Sequence, residues 1–137
     1  CDFIYAAENA KLGLPEVTLG VIPGFGGTSM LAKRIGPARA RELIFTGKVI
    51  DAHKAALWGL VNEVFPADAL MREATETAAR AARAGGLAVA AAKDAMAHGL
   101  DLPEYETALF SVLFSTEDQR EGMRAFTEKR KPAFHGK

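Results

Sequence analysis

The sequence predicts an α/β chain, with a β-rich first part and attached helices over residues 1–66 and a helical region over residues 67–137. Three observations lead there. Up to Pro66, short apolar runs of strand length alternate with segments of helical period, as in α/β proteins. Beyond Pro66, apolar positions recur only at helical spacing. No internal repeat or low-complexity linker separates the parts, so they read as one piece rather than two separable domains.

Phe3-Ile4-Tyr5-Ala6 reads as a buried strand and Ala7-Glu8-Asn9 as a turn; the stretch from Leu12, broken by Gly13 and Pro15, continues strand-like to Leu19. The chain opens with neither Met nor a signal-like segment. An apolar strand placed so early would leave a bare sheet edge, so the expectation is that preceding sequence pairs with it. Gly20 and Pro23-Gly24-Phe25-Gly26-Gly27-Thr28 form a glycine-rich turn into a helix that Gly36 ends. Pro37 suits the first turn of the next helix, which runs through Leu43 to Phe45 and closes at a left-handed Gly47. After the β segment Val49-Ile50, Asp51 caps a helix from Ala52 to Trp58, Gly59 stops it, and Leu60 to Phe65 is a strand ending at Pro66. Asp68 then caps a long alanine-rich helix to about Ala84. Gly85-Gly86 breaks it, and Leu87 to His98 forms another helix before Gly99. Asp101 with Pro103 opens a helix carrying Tyr105, Leu109, Phe110 and Leu113, and Thr116 with Gln119 resembles a capping box opening the last one.

Lys plus Arg and Asp plus Glu both number 17, so no net field draws the chain to nucleic acid or an anionic membrane; an anionic ligand must be held by a local basic cluster. Apolar runs such as Gly86 to Ala92 fall far short of the roughly 20 residues a membrane span requires, and a soluble, cytoplasmic protein is expected. The single cysteine, Cys1, excludes a disulfide framework and a cysteine-rich metal site, and fits a reducing compartment.

Three places have chemical potential. In the glycine turn, backbone N–H groups can approach a ligand closely at the start of a helix, although the turn lacks the Lys-Ser/Thr ending of a P-loop and the spacing of the dinucleotide fingerprint. Glu16 is a lone carboxylate among Leu12, Leu14, Val17 and Leu19; desolvation there would favour its neutral form and suit it to proton transfer, unless it points to the wet side of a half-exposed strand. The basic tail, Arg120, Arg124, Lys129, Arg130 and Lys131, is interleaved with Phe126. It either presents an aromatic face and an ammonium to a phosphorylated nucleotide or forms a solvated amphipathic helix with Met123 and Phe126 as core contacts. His53, His98 and His135 show no i, i+4 pairing for a metal and no acidic partner for a triad, and Ser29, Ser111 and Ser115 lack a nucleophile-elbow setting. No metal site is expected.

The order of three segments adds to this reading. CDFIYAAENAKLGLPEVTLGVIPGFGGT, then FTGKVIDAHKAALWGLVNEV, then STEDQREGMRAFTEKRKPAF closely resemble the enoyl-CoA hydratase/isomerase (crotonase) pattern over nearly the whole chain. The resemblance implies the C-terminal part of a crotonase-like ββα superhelix over 1–66 and a helical trimerisation region over 67–137, assembling as a trimer or a pair of trimers. It implies hydration of 2-trans-enoyl-CoA to 3-hydroxyacyl-CoA, as in fatty-acid β-oxidation, with Glu16 matching the catalytic glutamate that exchanges a proton at the α-carbon. Pro23, Gly24, Phe25, Gly26 and Gly27 would border the acyl pocket, Phe25 being bulkier than the residue often found there. Phe126 and Lys129 would hold the adenine and phosphate end of coenzyme A, which belongs to the substrate, so that no separate cofactor is implied. The family's first glutamate, in a GGG-x-E-type segment, and its oxyanion-hole N–H groups would lie before Cys1, leaving this fragment inactive alone. Isomerisation of 3-enoyl-CoA to 2-enoyl-CoA also suits a single carboxylate, and a non-catalytic oligomerisation module is a reading from another class.

Overall fold

Two small sheets organise the first part of the chain. Strand β1 (Tyr5–Ala7) pairs in parallel with β4 (Glu63–Phe65) in the register Tyr5↔Glu63, and β2 (Lys11–Gly13) pairs antiparallel with β3 (Val49–Asp51), Leu12 facing Ile50. Asn62 extends the first pair, donating its N–H to the Ile4 carbonyl and accepting from Ile4 N on its side chain, both at 2.8 Å. A parallel pair needs a long crossover. Here it carries α1 (Gly27–Ile35), α2 (Pro37–Thr46) and α3 (Ala52–Leu57).

The computed structural model describes residues 1–98 and 103–137, divided into one unit from Cys1 to Ala74 and another from Thr75 to Lys137. The core of the first unit joins Ala6 of β1, Leu31 and Ile35 of α1, Leu43 and Ile44 of α2 and Ile50 of β3 with Val61. Local chemistry sets the helix ends. Pro37 opens α2, Gly47 closes it at φ 63°, and Asp51 caps α3 by accepting from Lys54 N at 2.7 Å. At the end of α3, Gly59 (φ 81°) donates to Ala56 O and Leu60 N to Ala55 O, the paired bonds of a Schellman motif.

Several expectations are corrected. Pro15 to Leu19 is a five-residue 3-10 turn, not strand. Pro15 is fixed at its first position, the Thr18 hydroxyl donates to the Pro15 carbonyl at 2.7 Å, and a left-handed Gly20 closes it, so local bonds outweigh an apolar pattern that fits a strand. The last strand is Glu63–Phe65, because the Schellman motif uses Leu60 and Val61 follows it into the core. Helix α4 (Leu70–Ala82) opens beyond Asp68, since Pro66 O accepts from both Ala69 N and Leu70 N.

In the second unit α5 (Gly86–His98), α6 (Pro103–Leu113) and α7 (Glu117–Thr127) follow, α5 packing on α6. Gly99 and Asp101, expected to end one helix and open the next, lie outside the described residues. The Thr116 cap is present, its hydroxyl oxygen accepting from Gln119 N at 3.1 Å. Phe134 of the terminal segment comes back over Gly122, where an added Cβ would stand 3.5 Å from its ring. Among the described residues no helix is long and apolar enough to cross a membrane.

Candidate functional site

The 3-10 turn decides what Glu16 can do. The Thr18 bond, the bond from Gly20 N to Val17 O and that from Val21 N to Glu16 O (3.3 Å) fix the backbone around it. Behind the turn, Gly47 comes so close that a Cβ there would lie 2.8 Å from Thr18 Cγ2, which holds the end of α2 against it. The Glu16 side chain is partly buried, and its Oε2 is shut off from solvent with no hydrogen-bond partner among the described residues. A buried acceptor left unmade costs about 1–3 kcal/mol, so this oxygen stands out among the described residues.

The glycine turn lies close by in the same unit. Gly27 N donates to Gly24 O at 3.0 Å, and Gly26 adopts a left-handed conformation (φ 80°) at the start of α1. A Cβ on Gly27 would stand 3.0 Å from Pro23 and 3.5 Å from Leu14, so this turn packs on the residue that leads into the Glu16 turn. Pro23 is buried, whereas Gly24 and Phe25 are exposed; Phe25 also has a positive φ of 50°, uncommon outside glycine. An open apolar groove of about 390 Å³ is lined by Leu12, Leu14, Gly27 and Met30 among others, without Glu16.

The second unit carries the other predicted contacts. Phe126 is 82% exposed and Met123 is also exposed, so neither is the core contact that an amphipathic helix would make of it; the buried residues of α7 are Asp118 and Ala125. Lys129 sits at φ 54°, and its N–H donates to Phe126 O while Arg130 N donates to Ala125 O, the same pair of bonds that ends α3 at Gly59. A side chain in this conformation costs roughly 1 kcal/mol or more, and strained residues of this kind cluster at functional sites.

Two arginines of the basic tail are paired with acids, although the Arg124 side chain remains 67% exposed. Glu121 accepts from Arg124 Nη2 (2.6 Å), from both terminal nitrogens of Arg130 (2.5 and 2.9 Å) and from Ala133 N (3.0 Å), and Arg130 Nε reaches Glu128 at 2.6 Å. Bonds from Arg130, then Arg124 and Ala133, hold the Glu121 carboxyl far below the usual carboxylate range, and Glu121 in turn raises the Arg130 guanidinium. Buried Asp118 takes the backbone N–H groups of His135 and Gly136 at 2.7 and 2.9 Å. Neither acid stands out from the basic pattern of the tail; the Glu121–Arg124 spacing of three on a helix is the sequence signal for one of them.

The histidines need a correction as well. His98 does have an acidic partner one helical turn earlier, Asp94, at 3.0 Å, and the Tyr105 hydroxyl donates to the other Asp94 oxygen. The tyrosine bond and then His98 lower the Asp94 carboxyl, and Asp94 raises the Tyr105 hydroxyl. Ser29, Ser111 and Ser115 each give their hydroxyl to a backbone carbonyl three or four residues back. No cluster of three or more metal-ligand residues occurs among the described residues.

The sequence model described as enoyl-CoA hydratase/isomerase matches residues 1–137. The chain is 47% identical over 139 residues to a protein named probable enoyl-CoA hydratase from Rhizobium meliloti, covering 98% of this chain and 54% of that one. It is 46% identical to a crotonyl-CoA hydratase from Syntrophomonas wolfei, with 100% and 55% covered. Among solved structures it is similar to an enoyl-CoA hydratase from Bacillus anthracis, at a TM-score of 0.97 and 43% identity over 100% of this chain and 55% of the other. The α/β arrangement described above is therefore a crotonase-like fold. The chain spans about half the length of these relatives, and the comparisons do not bear out the expectation that it is their C-terminal half.

Proposed function

The chain belongs to the enoyl-CoA hydratase/isomerase family, and on that premise we propose that it forms part of an enzyme hydrating 2-trans-enoyl-CoA to 3-hydroxyacyl-CoA. The observation that carries this reading is the buried Oε2 of Glu16, without a partner among the described residues, on a turn fixed by three local hydrogen bonds. In the proposed reaction the oxygen of water bonds to the β-carbon as one of its O–H bonds gives its proton to a second carboxylate, the double-bond electrons move toward the thioester oxygen, and as they return the Glu16 carboxyl gives a proton to the α-carbon. The turn Pro23, Gly24, Phe25, Gly26 borders the acyl chain.

The family's GGG-x-E-type segment has no match within these 137 residues. The carboxylate that activates water, and the N–H groups that stabilise the enolate-like oxygen, are therefore assigned to polypeptide outside them. Losing one such donor typically costs about 10²–10³ in rate, so the 137 residues alone are expected to be inactive. The substrate brings its own coenzyme A, and neither metal nor cofactor enters the proposal. Assembly as a trimer or a pair of trimers is assigned to the second unit, supported by the exposed Phe110, Val112 and Phe114.

The direct test gives the intact protein crotonyl-CoA and follows the product by mass spectrometry. A gain of one water is expected. Conversion of 3-enoyl-CoA to 2-enoyl-CoA without hydration would reassign Glu16 to the isomerase reaction, and a trimer with neither activity would favour a non-catalytic module.

Exposed Phe126 and the left-handed Lys129 support a nucleotide contact at the end of α7. Lys129→Ala is expected to raise the Michaelis constant for CoA thioesters more than it lowers turnover, because binding common to ground and transition states is lost. Equal Michaelis constants in the two proteins would make Lys129 a merely solvated side chain.

A further inference from the structure

We propose that Glu121 is a positioning residue for the nucleotide end of the CoA thioester, acting through Arg130 to hold Lys129 in the left-handed turn that presents its ammonium. The inference rests on the assignment of Phe126 and Lys129 made above and goes beyond it.

Lys129 occupies the position that glycine fills at the end of α3, with the same two backbone bonds. Nothing in its own side chain secures that conformation, since Lys129 makes no ion pair with the described residues. Its neighbours do so. Arg130, the next residue, is held at three nitrogens by Glu121 and Glu128. Glu121 uses both oxygens on groups at either side of Lys129, with Arg124 before it and Arg130 and Ala133 after it. One carboxylate thus ties together the helix that leads into the turn and the segment that leaves it. The Glu121 side chain is 12% exposed, while its partners Arg130 and Arg124 are 38% and 67% exposed, so the carboxylate end of these bonds is the sheltered one. Asp118, one turn earlier, anchors the segment farther along through His135 and Gly136. Among these basic residues Arg124 and Arg130 are paired with Glu121, whereas Lys129, like Lys131, is exposed and makes no ion pair with the described residues; only Lys129 stands in the left-handed turn.

The test compares two thioesters of one acyl group in the intact protein, the CoA ester and the pantetheine ester, which lacks the nucleotide. Glu121→Gln keeps the shape and removes the charge. It is expected to raise the Michaelis constant for the CoA ester about tenfold, on the scale of one charge-assisted hydrogen bond, with turnover within about twofold. The specificity constant for the pantetheine ester should not move, a split that a general loss of folding does not produce. Should Glu121→Gln fail to fold, Arg130→Lys serves instead, keeping the charge but losing the two-pronged contact, with the same split expected. Equal losses on both esters, or none on either, would overturn the proposal. If Lys129→Ala leaves CoA-ester affinity unchanged, the nucleotide contact itself fails and takes the proposal with it. A silent Glu121→Gln beside a sensitive Lys129→Ala sinks only the positioning role.

Discussion

Glu16→Gln in the intact protein is expected, on the proposed function, to lower turnover at least about a hundredfold while CoA-thioester binding stays close to that of the unmodified protein, the loss typical of removing a general acid-base group. Glutamine has the same length and shape and keeps an acceptor oxygen, but it cannot give up or take a proton at neutral pH. The change is unusually clean at this site. The turn is set by Pro15, Thr18 and Gly20, through bonds that do not involve the Glu16 side chain, so the backbone has no reason to move. Oε2 has no hydrogen-bond partner among the described residues, so no bond to it there is broken either. Steady-state kinetics on crotonyl-CoA together with calorimetric binding of a non-reacting CoA thioester separate the possibilities. Unchanged turnover removes Glu16 from the mechanism; binding lost in proportion to turnover makes it a binding or structural group instead.

What could be read from the sequence was what short-range chemistry decides. Gly47 and Gly59 end helices because only glycine takes the left-handed conformation freely, and Asp51 and Thr116 begin helices because their side-chain oxygens accept the first free N–H groups. The turn at Pro15 to Leu19 misled because five residues are too few for a helical period to appear among Leu14, Val17 and Leu19. Lys129 gave no warning, since a lysine in a left-handed turn looks like any other lysine until the bonds around it are seen. Glu121 is hidden for a related reason: the pattern of the tail is dominated by its positive charges, and only the backbone path back over α7 shows that Arg130 and Ala133 converge on one carboxylate. The Tyr105 bond to Asp94 likewise depends on the packing of α5 against α6, while the His98 bond at i, i+4 was within reach of the sequence. For Glu16 the pattern named the residue but left open whether it faced water, because burial of one oxygen depends on what packs around the turn.

That packing leads to the largest expected effect on stability. Leu43 is completely buried, at 0% exposure, on the helix whose closing Gly47 presses on the Glu16 turn. Truncating a buried leucine removes its transfer free energy and leaves a cavity that neighbours fill only in part, so Leu43→Ala is expected to cost about 3 kcal/mol. Against a typical total of roughly 5–15 kcal/mol, that is a large fraction. Leu43→Met, which nearly conserves volume, should cost less than about 1.5 kcal/mol. Urea unfolding of the two variants in the intact protein checks this, with a shifted midpoint and an unchanged slope as the sign of a pure stability change. Under conditions where Leu43→Ala remains folded, its turnover should fall far less than that of Glu16→Gln, since the carboxyl is still present and only its support has softened. A Leu43→Ala cost no greater than that of Leu43→Met would mean that α2 is not what holds the turn in place, and the fixed position of Glu16 would need another cause.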